Sequence, residues 1–431
     1  MTGWFCSGMA NIANTNVLSE SPREPGASSV GSPPAAVTRV FIPLVTPFLY
    51  GMERGVIELF DSLRPGVEPY FLQSNRIYQR RPPIIEEMER RGFSIELLPD
   101  KTDWERLAKP RSLRHFCQMV IATARTNVAV LRGAWGKDVL YVPGISAGSG
   151  SLLAALLYRL RGRRVIHHFR DLGTDHRLFP VWLVLVTDCV HNTRYGYEDV
   201  ARKLPGIRRK RNFVLPHILD VDNRPPEDAN EHRVFEGKKN LLFLGQISYH
   251  KGIDILLESF KLVANRHEDV VLHLVGECGE NFRSNLGRRI SSAGLEDRVM
   301  FWGFREDAIR LMRFAYVYVH PAPPSRFHES FCRSVVEAMA LAVPTVCFRS
   351  GALQEIVRHE KTGLVCEESA NALASAINRF LEEPNFRNAC SSGARQSYEE
   401  LYSPLVVRPR WMEFLEARPK ASSVGVSWPL K

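Results

Sequence analysis

HESFCRSVVEAMALAVPTVCFRSGALQEIV, residues 328–357, decides how the rest of the chain is read. An apolar run with acids at Glu329 and Glu337 gives way at Pro344 to a β-branched stretch. A turn containing Gly351 follows, and then a second helical stretch carrying Glu355. Helix, short buried strand, glycine turn and helix is the alternation of a parallel sheet covered on both faces. If SFCRSVVEAMALA is a helix, the eight residues separating the glutamates amount to about 80° of residual rotation and about 12 Å of rise. Both carboxylates then lie along one edge. Ser330 is placed to cap that helix, with free amides around residues 331–333. Such a start holds a diphosphate without a metal, and a carboxylate at each end can accept paired hydroxyls. An ordinary amphipathic helix with surface acids fits the same spacing.

The alternation extends in both directions. VTRVFIPLVTP, EPYFLQS, FSIELLPD, DVLYVPG, RRVIHHFRD and NFVLPHILD read as strands of a first domain, separated by helical stretches. LFPVWLVLV (178–186) reads as a further buried strand. The polar, proline-containing stretch after residue 221 breaks the pattern, which restarts at NLLFLGQIS and runs to about 405. The expected organisation is a tail at 1–37, a first domain at 38–222, a linker at 223–239 and a second domain at 240–405. A helix at 406–420 crosses back to the first domain, and 421–431 form a second tail. The fold class is α/β, two Rossmann-like doubly wound parallel sheets facing an interdomain cleft. Ligands in such sheets gather at the carboxyl ends of the strands.

Composition narrows the partners. With 431 residues, 45% hydrophobic and 24% charged, the chain has the composition of a globular protein of two domains. No apolar run approaches the roughly 20 residues that cross a bilayer, and the first residues lack the charge and apolar core of a signal peptide. Eight cysteines without a CxxC pair fit buried thiols in a reducing cytosol, not disulfides or zinc. The net charge of +10 is concentrated between residues 111 and 211, where 18 Lys/Arg face 6 Asp/Glu. A basic lobe of this kind suits membrane phospholipid, nucleic acid or a phosphorylated substrate, or is a solvated face. No recognition module and few interleaved aromatics speak against nucleic acid.

The second half resembles the retaining GT-B glycosyltransferases of family 4. Glu329 and Glu337 match their E-x7-E signature, and GALQEIV with EKTGLV (351–365) matches the stretch that follows it. FLGQISYHKGIDILLESF, LHLVGECGE, LEDRVMFWGF and VYVHPA fall in the family's order, while GMERGVIELFDSL and LPHILD are fainter counterparts. The resemblance implies transfer of a sugar from a nucleotide-sugar donor to an acceptor hydroxyl, with retention and with no cofactor or metal. It implies that Glu329 holds the donor sugar's hydroxyls, Glu337 the ribose hydroxyls, and that Lys251 neutralises the diphosphate. Gly245, Gln246, Gly276 and Gly279 would approach the nucleotide, and Gly303 with Phe304 the base. Ser330, Phe331, Cys332 and Arg333 would present the helix start, and Gly51 would face the phosphate and acceptor across the cleft. The basic first half points to a saccharide or lipid-linked saccharide as acceptor, and to a cytoplasmic protein on the inner face of an anionic membrane.

Two departures stand out. Gln246 occupies the place of an arginine that the family pairs with the lysine, which leaves Arg333 or Arg326 to supply the second charge. The family's histidine before a strand-end aspartate is ambiguous in HHFRD, which offers His167, His168 and Arg170 before Asp171. In an alternating strand His168 and Arg170 share a face, and His168 is the expected cleft residue. Two other functions compete. Gly144, Ser146 and Gly148 form a G-x-S-x-G between a strand and a helix, as in a serine hydrolase. A GT-B-like subunit that binds nucleotide-sugar without transferring it would also tolerate Gln246.

Overall fold

Short runs of β-branched and aromatic residues become the strands of two parallel sheets, as shown by a computed structural model. It describes residues 37–49, 51–98, 113–144, 150–170, 179–221, 234–305, 307–417 and 426–427. The tail expected at 1–37 lies outside these residues except for Val37. Ser146 and Gly148, Asp171, and the linker up to residue 233 lie outside them too.

The first lobe runs β1 (Thr38–Pro43), α1 (Gly51–Ser62), β2 (Val67–Ser74), α2 (Asn75–Gln79), α3 (Pro83–Arg90) and β3 (Ser94–Leu98). It continues with α4 (Leu113–Ala134), β4 (Val139–Pro143), α5 (Leu152–Leu160), β5 (Arg164–Phe169), α6 (Phe179–Leu185), β6 (Asp188–His191), α7 (Arg194–Lys203) and β7 (Arg211–Val214). The strand order is β7-β6-β5-β4-β1-β2-β3, all parallel. Strands β4, β5 and β6 are buried at every position; β4 accordingly reads as an apolar run, while β5 and β6 also bury Arg164, His167, His168, Asp188 and His191.

The strand expected at 178–186 is instead helix α6, and the strand follows at Asp188. Phe179, Trp182, Leu183 and Val186 are buried while Val181 and Val184 are exposed, the spacing of a helix. An apolar run that is unbroken on both faces hides its period from the reader.

The second lobe runs β8 (Lys239–Leu244), α8 (Ile253–Ala264), β9 (Val270–Val275), α9 (Glu280–Ser291), β10 (Val299–Gly303), α10 (Ile309–Met312) and β11 (Val317–His320). It ends with α11 (Arg333–Ala340), β12 (Thr345–Phe348), α12 (Leu353–Ile356), β13 (Gly363–Cys366), α13 (Ala370–Glu382), α14 (Pro384–Leu401) and α15 (Pro404–Glu416). Its sheet order is β10-β9-β8-β11-β12-β13, and β14 (Val426–Ser427) pairs with β7 of the first sheet. Helix α15 packs on the first lobe: Val407, Trp411 and Phe414 join the cluster around Val40 and Ile42, and Trp411 Nε1 donates to the Pro216 carbonyl at 2.9 Å.

Each sheet is covered by an apolar cluster on either face. In each, the winding reverses between the first and fourth strands, β1 and β4 in one, β8 and β11 in the other. Chains leaving such a point diverge to opposite faces and open a crevice at the strand ends.

Candidate active site

A cavity of about 550 Å³ lies at these reversals. The start of α1 contributes Leu49, Gly51 and Arg54. The ends of β8 and β9 contribute Gly245, Gln246 and Gly276, the turn after β8 Lys251, and the end of β11 His320. Glu329, Phe331, Cys332, Arg333 and Glu337 line it from the segment that ends in α11, and Phe304 from beyond β10. Both signature glutamates therefore face the space between the lobes. Gly276 is required where two strand ends meet: its φ is +140°, and a Cβ there would stand 1.8 Å from the Gly245 carbonyl oxygen.

Helix α11 starts later than the spacing predicts. It begins at Arg333, with Cys332 at the N-cap and no side-chain cap, so Glu329 and Ser330 precede it. Contacts outside the helix hold this segment: the Glu329 carbonyl accepts from Ala352 N at 2.8 Å, and the Ser330 carbonyl from Thr193 Oγ1 at 2.7 Å, which favours a non-helical path for both residues. Ser330 does not cap; its hydroxyl donates to the Arg170 carbonyl at 2.9 Å, across the cleft. Gly351 permits this packing, since a Cβ at that residue would lie 2.3 Å from the Glu329 carbonyl oxygen.

Glu329 Oε1 accepts from Lys251 Nζ at 2.6 Å and from His320 Nε2 at 2.9 Å. Both bonds fall on one oxygen, leaving Oε2 for another donor. Burial alone would raise the carboxyl's pKa, but the His320 hydrogen bond and the Lys251 charge outweigh it and bring it to about 2. Burial likewise opposes a charged His320, yet Cys332 and Glu329 together lift the imidazole to about 9. His320, Glu329 and Cys332 bring three donor atoms within 4.8 Å of one another. The ammonium of Lys251 already sits on the same Oε1, so a metal ion would have to displace it.

Glu337 is held by the first turn of its own helix. Arg333 Nε meets Glu337 Oε1 at 2.9 Å, and Arg333 Nη2 reaches Glu58 Oε2 of α1, in the other lobe, at 2.7 Å. The two carboxylates outweigh burial and raise the guanidinium's pKa. Arg333 is thus committed to two acids. Arg326, the other candidate to make up for Gln246, pairs with Asp254 at 2.7 Å and does not line the cavity. The remaining cavity cations are Arg305, paired with Asp307 at 2.9 Å, and Arg54, which has no ion pair among the described residues.

Several expected residues lie elsewhere. His168 is buried behind the cavity, bonded to Tyr141 Oη and to Asn192 Oδ1 at 2.8 Å, and desolvation drives its pKa well down. Its strand position does match Arg170, as alternation requires, but both point at His217; Arg170 Nη2 meets His217 Nδ1 at 2.6 Å. Gly279 sits at the start of α9 and Gly303 at the end of β10, and neither lines the cavity. Among the residues that the sequence reading passed over, His320, Arg54 and Glu58 matter most. His320 carried a usable signal, a polar residue ending an apolar strand, VYVH, where a parallel sheet binds ligands.

Glu355 answers a question raised by its own motif. Its carboxylate crosses to the first lobe and accepts from the backbone amides of Arg194 and Tyr195 at 3.0 and 2.9 Å, in the first turn of α7. With Thr193–Ser330 and Ser330–Arg170 this forms a clasp between the lobes. Glu355→Ala is expected to leave those amides bare and to loosen the clasp, at a cost of about 1–3 kcal/mol. A larger radius of gyration in small-angle X-ray scattering is the expected readout.

The two doubly wound parallel-sheet lobes have the GT-B fold. Residues 225–397 match the family model described as Glycosyl transferases group 1. An uncharacterized glycosyltransferase of Methanocaldococcus jannaschii is 29% identical over 198 residues, which are 44% of this chain and 49% of that protein. Mannosylfructose-phosphate synthase of Agrobacterium fabrum is 34% identical over 186 residues, 39% of each. The aligned stretches therefore take in less than half of these relatives' lengths. Among solved structures, Anabaena HepE in complex with UDP and glucose superposes with a TM-score of 0.71 at 18% identity, covering 89% of this chain and all of that one. A Rickettsia africae glycosyltransferase superposes at 0.72 and 16% identity, covering 90% of this chain and 100% of its own.

Proposed function

We propose that this protein transfers a sugar from a nucleoside diphosphate donor to an acceptor hydroxyl, with retention at the anomeric carbon. The observation that carries the reading is Glu329, held by Lys251 and His320 in a cavity at two strand reversals, with Glu337 eight residues on, one turn into α11. The donor diphosphate lies across the first amides of α11, where the helix field favours an anion. Lys251 meets the charge that grows on the diphosphate as the glycosidic bond breaks. Glu329 Oε2 accepts sugar hydroxyls and Glu337 those of the ribose. The family match and the UDP found in the solved neighbour support this assignment.

Glu329 is a poor covalent nucleophile, since two cations hold its carboxyl near a pKa of about 2. The reading therefore has the acceptor attack on the face from which the diphosphate departs. Lys251 and His320 supply positive charge there without a metal. The acceptor is a saccharide or a lipid-linked saccharide, and attachment of the first lobe to an anionic membrane face brings such an acceptor within reach.

The test is a thermal-shift screen against UDP-, GDP-, ADP- and CMP-sugars, since a ligand at 100 times its Kd stabilises by about 2.7 kcal/mol. One nucleotide class is expected to raise the melting temperature and then to support transfer or slow donor hydrolysis. No shift with any of them overturns the reading. Gln246, in place of a second phosphate cation, favours the alternative of a binding subunit; binding without any turnover would select it.

Activity is also expected to fall as pH rises through about 9, where His320 loses its proton. His320 is raised above its unfolded value of 6.5, so its contribution is full below 6.5 and lost through about 9. Glu329 is lowered from 4.5, so its contribution is full above 4.5 and lost as pH falls through about 2. The pair's contribution to folding stability is therefore full between 4.5 and 6.5, while the charged pair itself persists until His320 deprotonates near about 9. A kcat–pH profile of His320→Gln should lack the alkaline limb.

A further inference from the structure

Apart from Arg159 and Tyr158, helix α5 consists of Leu and Ala, yet it lies at the surface. Ala154, Ala155 and Tyr158 face the core, while Leu153, Leu156 and Leu160 are 44, 45 and 77% exposed. These three, with half-exposed Leu157, form an i, i+3, i+4, i+7 stripe directed at solvent. A surface helix normally places polar residues there.

The stripe is not isolated. Helix α5 packs between α4 and α6 on one face of the first sheet: Leu153 N donates to Asn127 Oδ1 of α4 at 3.0 Å, and α6 lies against its other flank. Val120, Ile121 and Val128 of α4 are 42 to 50% exposed, and Val181 and Val184 of α6 are 54 and 69% exposed. With Trp135, this face holds nine of the eighteen large apolar side chains exposed among the described residues. A patch so concentrated marks an interaction surface.

Charge selects the occupant. Helices α4, α5 and α6 contain no Asp or Glu. Arg125, Arg132, Arg159 and Arg161 are exposed on or beside them, with no ion pair among the described residues. Arg161 lies over the exposed Trp135 ring at 4.0 Å, pairing an amphipathic ring with a cation. A second copy of this chain would bring two positive faces together. An anionic bilayer satisfies both the apolar side chains and the arginines. Among the described residues no helix is long and apolar enough to cross a membrane, so the contact is with the surface.

We infer that the α4–α5–α6 face docks on anionic phospholipid, with the α5 leucine stripe entering the headgroup boundary and the arginines meeting lipid phosphates. This deepens the membrane attachment in the proposed function, but it does not depend on donor chemistry. Vesicle binding is read with no sugar present.

The experiment is flotation of the full chain with phosphatidylcholine vesicles, with and without phosphatidylglycerol. The wild type is expected to float with the mixed vesicles and to remain largely in solution with phosphatidylcholine alone. Leu156→Asp/Leu160→Asp should lower the partition coefficient about tenfold or more. Arg125→Ala and Arg159→Ala should each lower it about fivefold. All these side chains are exposed, so an unchanged melting temperature shows that the variants are folded. Failure of the wild type to float overturns the inference, as does unchanged flotation of the double leucine variant. Dimerisation that the leucine variant abolishes, without vesicle binding, assigns the face to a second copy instead and also overturns it. Donor binding that survives in a chain that does not float would leave the transfer reading standing while the docking surface falls.

Discussion

Glu329→Gln is expected to lower kcat by about 10²–10³-fold, or about 3–4 kcal/mol, while leaving nucleotide affinity within a few-fold of wild type. The amide keeps the shape of the carboxylate but not its charge. His320 loses the anionic partner that helps hold its pKa at about 9, and Lys251 loses the negative charge that faces it at 2.6 Å. Oε2, the atom left for the sugar hydroxyls, becomes neutral or is replaced by a donor. In the proposed reading nucleotide binding rests on Glu337, Gly245 and the start of α11, which line the same cavity and keep their side chains in this variant. Single-turnover transfer gives the rate and titration of the nucleoside diphosphate gives the affinity. A variant with the wild-type rate would remove Glu329 from the reaction, and a variant that no longer binds nucleotide would give it the role assigned to Glu337.

The second large effect is on stability. Arg333→Met removes a cation that faces two acids, and the side chains of Glu58, Arg333 and Glu337 are only 13, 15 and 10% exposed. Breaking a buried ion pair by removing one partner leaves uncompensated charge and costs about 3–5 kcal/mol. Urea denaturation should show that loss. Adding Glu58→Gln to Arg333→Met should recover part of it, because one of the stranded carboxylates is then neutral. Glu58 and Arg333 belong to different lobes, so a recovered double variant would also demonstrate that the bridge between the lobes forms in solution. Strictly additive losses would show that it does not.

Much of this molecule can be read along the chain. Runs such as VLYVP and TVCF, short and rich in β-branched residues, read as strands buried on both faces and are so in the structure. Their alternation with helices leaves a doubly wound sheet as the natural packing. The eight-residue spacing of Glu329 and Glu337 located the cavity for a similar reason, because it lies within one segment that ends in a helix start. Where the reading failed, the cause was a partner distant in sequence. Helix α11 was placed too early because contacts of the Glu329 and Ser330 carbonyls with Ala352 and Thr193 favour a non-helical path there. LFPVWLVLV hid its helical period because its outer face is as apolar as its inner one.

Local order in the sequence thus determined the two sheets, their strand ends and the segment that faces the cleft, since backbone hydrogen bonding and side-chain period act between near neighbours. Tertiary structure alone decided which charges meet. Glu355 caps a helix 160 residues away, Lys251 reaches Glu329 across 78 residues, and Arg333 finds Glu58 in the opposite lobe. An ion pair depends on distance in space and on the water excluded around it, and neither quantity is written in the spacing of residues along a chain.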